Sequence, residues 1–317
     1  MKNKKVIYAF ALLFFSVFTA SAEAKLTSFS FSPEIGFLNG TIVENVWRAD
    51  VTYSTTEVNY TPTTKESRLD WQLDNLLFFG AESGLTFNDK YTVMFSFKNA
   101  ISGDSGIMED YDWLKADNPD YLSRYSNHTN HIKSFTQVNF SIKRLFFLTQ
   151  NKSISIAPRI GFETQTFSFS GTGGWRTYDT ENWKKIYFDD SPVISYSQSF
   201  IAPVIGFDSD FNFLKFLEAQ VNLSAIWIKK LDCNDLHIIR NDSFNDQIED
   251  AWKFNAELGL FYKINKNNRF GFRGTVSYSP DSYGFTYVNS SSQPHPSSLG
   301  GTSRFLWTYS FVYKIIF

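Results

Sequence analysis

Apolar and polar residues alternate with period two over much of the chain. Phe305, Trp307, Tyr309, Phe311, Tyr313, Ile315 and Phe317 occupy every odd position to the last residue, and between them lie Leu306, Thr308, Ser310, Val312, Lys314 and Ile316. Successive side chains of a strand point to opposite faces, so one face here is almost wholly aromatic or aliphatic. Leu217, Ala219, Val221, Leu223, Ala225 and Trp227 repeat the pattern against Glu218, Gln220, Asn222 and Ser224. It recurs in Trp252–Tyr262, in Phe270–Tyr278 and in Leu69–Leu77, with weaker versions at 91–99, 134–148, 153–169 and 193–207 and a first strand around 28–47. The pattern predicts ten strands.

A soluble β-sandwich also alternates, so the choice of architecture needs further observations. Lys2, Lys4 and Lys5 precede an apolar stretch from Val6 to Ala20 and the small residues Ala20, Ser21, Ala22 and Ala24. This three-part pattern predicts a secretory signal peptide at 1–24 and a mature domain at 25–317. Aromatic residues make up 18% of the chain, yet charged residues reach 20% and mean hydropathy is only −0.25. No later apolar run approaches the ~18 residues of a membrane helix. A transmembrane β-barrel reconciles these facts, because its lipid face is apolar and its lumen polar. The expected fold is all-β, a ten-stranded antiparallel outer-membrane barrel, with Arg68, Asp70, Asp74, Arg269 and Arg273 pairing in the lumen. One cysteine, Cys233, excludes an internal disulfide. Loss of three lysines and one glutamate with the signal leaves 27 basic and 31 acidic residues, a net charge of −4 that argues against a nucleic-acid partner.

Short turns are expected near Asn88–Asp89, Gln150–Asn151, Asp208–Asp210 and Asn265–Asn268, and long polar connections at 48–66, 101–133, 170–192, 229–250 and 279–303. Short turns on one rim and long loops on the other fit periplasmic and extracellular ends, and function is expected on the long-loop rim. Two motifs fall there: Asp110-Tyr111-Asp112, and Asp235-Leu236-His237. With strand spacing, i and i+2 share a face. Two carboxylates so close do not both ionise easily, and an aspartate beside a histidine can fix its tautomer. Facing each other, the pairs could activate a water. Spacing alone leaves open a solvated loop or a weak cation ligand. His128 and His131 lack further ligands at zinc spacing, so no metal is expected.

Several ordered segments together resemble the omptins. They are Gly40–Trp47, Ser67–Trp71, Met108–Trp113 with Asn118-Pro119, Phe167–Phe169 with Gly173-Gly174, Tyr196–Phe200 with Pro203 and Gly206, and Asn234–His237. The resemblance covers nearly all of the mature chain. It implies a surface-exposed outer-membrane endopeptidase of aspartic type, acting without a cofactor on peptide or protein substrates at the cell surface. By the same resemblance Asp110 and Asp112 stand on one wall and Asp235 and His237 on the other. Water is then the nucleophile, His237 the base and Asp235 its orienter, with no acyl-enzyme. Glu44 and Met108 are implied to bind substrate. Ser126 and His128 match two positions of a family loop whose other residues differ here. The non-catalytic rivals are a surface adhesin on the same barrel and, behind it, a pore.

The chain departs from the family in two further places. Omptins hold a basic residue before the cut between two acids. Glu44 matches the first, but the second position is Cys233, with Asp232 as the nearest acid. A relaxed or shifted preference is expected. The family also binds lipopolysaccharide through arginines, and the matching positions here are the uncharged Thr164, Thr166 and Ser199. Outer-membrane lipid is therefore expected to bind elsewhere or to be dispensable.

Overall fold

The computed structural model describes residues 24–53 and 58–317, so all of the expected signal segment except Ala24 lies outside the described residues. The strands are β1 (Leu26–Tyr53), β2 (Val58–Phe87), β3 (Tyr91–Ala100), β4 (Gly103–Asp112), β5 (Arg124–Arg144), β6 (Phe146–Phe147), β7 (Ile154–Tyr178), β8 (Ile186–Tyr187), β9 (Pro192–Leu214), β10 (Leu217–His237), β11 (Asp242–Lys263), β12 (Asn268–Val288) and β13 (Ser298–Ile316). β3 and β4 share one stave, pairing with β2 on one side and β5 on the other. The ring then runs through β7, β9, β10, β11, β12 and β13 back to β1, all antiparallel, which gives the expected ten staves. Closure pairs each of the ten staves on both sides among the described residues, as a sheet in hydrocarbon requires.

The aromatic face of the C-terminal strand points outward, as alternation required. Phe305, Trp307, Phe311 and Tyr313 are exposed, with Phe270, Phe272 and Tyr278 on β12 and Trp252, Phe254 and Leu258 on β11. Trp227 pairs with Trp252, and Tyr278 with both Phe254 and Phe305. Exposed aromatics in a row on the outer wall have the character of a barrel's interfacial girdle. Just beyond it the outer wall turns charged, with Lys229–Asp250 at 3.1 Å and Lys230–Asp232 at 2.7 Å.

The staves are far longer than the ~9–11 residues a membrane strand needs. β1 has 28 residues and β2 has 30. Much of 101–133, 229–250 and 279–303, expected as loops, is therefore strand projecting above the lipid. Alternation fails there because the outer face meets water instead of lipid and the inner face lines a polar groove, while the backbone ladder continues. The turn expected at Asp208–Asp210 is also corrected. β9 runs on to Leu214, and Asp208 faces the lumen beside Lys143 (3.0 Å) and Arg159 (3.6 Å). Turns at Asn88–Asp89 and near Gln150–Asn151 stand where expected, and the one expected at Asn265–Asn268 falls at 264–267, with Asn268 opening β12.

β2 reverses its faces. Leu69, Trp71 and Leu73 point into the barrel, whereas Arg68 and Asp70 pair at 2.7 Å on the outer wall and Asp74 is exposed. Asn75, at φ 51°, marks the switch, after which Phe78 is inside and Phe79 outside. Above the lipid the apolar face has nothing to gain outside, so it fills the interior instead. Arg269 and Arg273 are in the lumen, as expected. Arg269 is bonded to Glu218, and Arg273 lies 3.4 Å from Glu34 and 3.3 Å from Glu257. Over this charged layer sits a plug of stacked rings. Trp71 lies 5.5 Å from Phe169 and 5.8 Å from Tyr196, and Phe135 lies 4.6 Å from Phe167. An open pore does not fit so filled an interior.

Candidate active site

Above the aromatic plug, the projecting staves enclose a cavity of about 790 Å³. Glu44, Met108, Asp110, Asp112, Asp235 and His237 all line it. The two acid motifs arrive on well-paired strands rather than on loops. Asp110 and Asp112 end β4, opposite Leu69 and Ser67 of β2 and Ser126 and Arg124 of β5. Asp235 and His237 end β10, opposite Tyr196 and Ile194 of β9 and Phe244 and Asp242 of β11. A site carried on paired strands is held more tightly than one on loops.

His237 Nε2 lies 2.8 Å from Asp235 Oδ2, and His237 Nδ1 lies 2.6 Å from Arg240 Nη2. A guanidinium can only donate, so Nδ1 carries the lone pair and the Nε2 proton is donated to Asp235. The i, i+2 spacing thus fixes the imidazole. Asp235 is buried, and its second oxygen, Oδ1, has no partner.

On the other wall, burial raises the Asp110 carboxyl well above the usual range, and the charges of Asp112 and Asp235 add to it, partly offset by Arg240. Asp112 is also raised by burial, against the opposing pull of the Ser67 hydroxyl, Arg124, Arg240 and His237. The two walls therefore feel each other's charges across the groove. Asp110 Oδ1 is shut off from solvent without a hydrogen bond. Two adjacent, half-buried carboxyls hold a proton more readily than either would alone.

Glu44 is buried, and its carboxyl is raised well above the usual range by burial and by Asp235 and Asp246. Met108 is buried at the floor of the groove. Asp232, the acid nearest Cys233, does not turn inward but pairs with Lys230 on the outer wall. Ser126 and His128 lie on β5, not in a loop. His128 Nδ1 donates to the Gly173 carbonyl (2.6 Å), and its Nε2 accepts from the Ser126 hydroxyl (2.9 Å). Burial pushes the His128 pKa down. His131 turns away to Asp104, 2.7 Å off. Thr164, Thr166 and Ser199 are exposed on the outer wall, with Thr166 directly opposite Ser199.

Two residues at the site had no signal in the sequence, Arg240 and Asp246, and Ser67 stood in a segment of the resemblance without a role. Each of the two stands in a polar stretch without a motif, and only strand register brings it to the groove.

A closed barrel whose outward rim carries a carboxylate-lined groove defines a class of outer-membrane surface protein with an enzyme-like site. The Omptin family model matches residues 25–304, and the chain belongs to that family. It is accordingly an outer-membrane protease whose groove faces the exterior and whose substrates are peptides or proteins at the surface. The plasminogen activator of Yersinia pestis is 22% identical over 275 residues, covering 86% of this chain and 83% of that protein. The crystal structure of the outer membrane protease OmpT from Escherichia coli superposes with a TM-score of 0.79 at 18% identity, covering 94% of this chain and 99% of that one. At that identity the likeness is one of fold.

Proposed function

We propose that the chain hydrolyses peptide bonds with a water activated between Asp110 and His237. The observation that carries this reading is the convergence of two unlike pairs on one cavity, each with a buried, unpartnered carboxylate oxygen. Substrate binding displaces Arg240 from His237 Nδ1, and Asp242, 3.5 Å from Arg240 Nε, offers it another partner. Nδ1 then takes a proton from water as the water oxygen bonds to the scissile carbonyl carbon. Asp235 accepts from Nε2–H and stabilises the imidazolium. The proton kept by the Asp110–Asp112 pair is donated to the developing oxyanion. Collapse breaks the C–N bond: the imidazolium proton leaves with the amine, and one gem-diol hydroxyl returns its proton to the Asp110–Asp112 pair as the carboxylic acid forms. No acyl-enzyme forms, and the type is aspartic rather than serine.

A second reading is favoured by one observation, the Ser126–His128 hydrogen bond, which has the tautomer a serine nucleophile would need. Variants Asp110→Asn, His237→Ala and Ser126→Ala, refolded in detergent and assayed on quenched peptides, separate the two. The first two should lose about 10²–10⁴-fold in turnover, the range for a general acid or base. Ser126→Ala should stay near wild type; a loss confined to Ser126→Ala would sink the water mechanism. Cleavage of nothing by wild type would point to a surface adhesin. Because Thr164, Thr166 and Ser199 bring no charge to the outer wall, we also expect turnover without added lipopolysaccharide.

A further inference from the structure

We infer that Asp246 is the second acid of the substrate pocket, supplied from β11 in place of a carboxylate at Cys233 on β10, and that the protease keeps a preference for Lys or Arg before the cut. The inference rests on the proposed proteolytic reading and reverses the relaxed preference expected from Cys233 alone. Cys233 and Asp246 are direct cross-strand partners. Both are buried inside the barrel, and such partners place their Cβ atoms ~5 Å apart on one face. A carboxylate on either member of the pair therefore enters the same space.

Asp246 is not explained as a structural ion pair. Among the described residues it has no salt-bridge partner, and the hydrogen bond it receives comes from Thr286. Glu44 likewise lacks a cation, and its Oε2 has no partner. The two acids influence each other, and both line the groove cavity. Two buried carboxylates without a counter-charge cost stability, which a cationic ligand recovers. β13 leaves room for this arrangement: a Cβ at Gly300 would collide with the Asp246 carboxylate.

Depth agrees with a long basic side chain. Asp246 is two residues beyond Phe244, the partner of catalytic-motif residue Asp235. Two strand residues span ~7 Å, so Asp246 lies about that far below Asp235. A lysine or arginine side chain bridges this distance with its charge at the floor.

The test uses three peptides that differ only at the residue before the cut: Lys, Arg and the uncharged norleucine. Wild type should favour Lys and Arg in kcat/KM. In Asp246→Ser that ratio to norleucine should fall about 30-fold, the low end for removing one partner of a buried charge pair. The double variant Cys233→Asp/Asp246→Ser should restore it, which a general loss of packing would not do. Equal preference in wild type, an unchanged ratio in Asp246→Ser, or no recovery in the double variant overturns the inference. Lys-peptide binding in the His237→Ala background reads the pocket without turnover, and there too Asp246→Ser should weaken binding about 30-fold. If wild type cleaves no peptide, the proteolytic reading fails. If it cleaves but Asp246→Ser discriminates as before, the pocket assignment alone fails.

Discussion

Two sets of buried acids divide the barrel. In the lower lumen each carboxylate has a cation: Glu163 with Lys253 at 2.5 Å, Asp208 with Lys143 at 3.0 Å, Glu34 with Arg273 at 3.4 Å, and Glu218 with Arg269. Above the aromatic plug no buried acid of the described residues pairs with a lysine or arginine, and Asp235 pairs with His237 instead. Among the described residues Glu44 and Asp246 have no counter-ion; Asp110 and Asp235 each keep an oxygen without a hydrogen bond, as Asp208 does in the lumen, but there Arg159 lies 3.6 Å from it. Similar residues in a similar enclosure thus divide into paired groups that fasten staves together and unpaired groups facing a cavity. A fold does not leave several buried carboxylates unsatisfied without a use for them, because each costs stability.

The difference can be broken from either side. Asp235→Asn keeps the shape but no longer offers His237 a charged acceptor, and peptide turnover should fall about 10²–10⁴-fold. In the lumen, Lys253→Met strands Glu163 and should destabilise the barrel by about 3–5 kcal/mol in a denaturant titration, with the groove otherwise intact. A smaller effect concerns pH. Burial pushes Asp246 up to about 7, with Asp235 adding its charge and Thr286 opposing. The groups that face it are Glu44, Asp235, Cys233 and Thr286. Its carboxylate forms only above that pH, so the Lys-to-norleucine ratio should grow as pH rises from about 6 to 8. The folded state holds this proton more tightly than the unfolded chain, so Asp246 makes the barrel less stable as pH rises from about 4 to 7, by up to ~4 kcal/mol. A ratio flat across that range would show that Asp246 does not titrate in the pocket. The smallest effect is at the base itself. Arg240→Gln frees His237 Nδ1 of a charged donor and should raise kcat/KM about 2–10-fold, the worth of one hydrogen bond. A fall instead would make Arg240 part of the catalytic machinery.

How much of this was legible in the sequence follows the lipid. Where one face meets hydrocarbon, alternation is enforced, and β10–β13 were readable residue by residue. Above the girdle that constraint lapses. Segments 101–133 and 229–250 looked like loops because neither face had to be apolar, and the reversed faces of β2 turned Arg68 and Asp70 outward. Asp110, Asp112, Asp235 and His237 were found because the i, i+2 spacing survives whether the segment is loop or strand. Asp246 was not, since its meaning lies in the register that sets it opposite Cys233, and register is not local.

Asp110→Asn tests the division of acids most directly, with the urea midpoint and peptide turnover read on the same refolded barrel. Removing an unpaired, half-buried charge should leave the midpoint at or above wild type while turnover falls at least about 100-fold. A lower midpoint with turnover unchanged would mean that Asp110 is a structural acid like those of the lumen, and the two sets would be one.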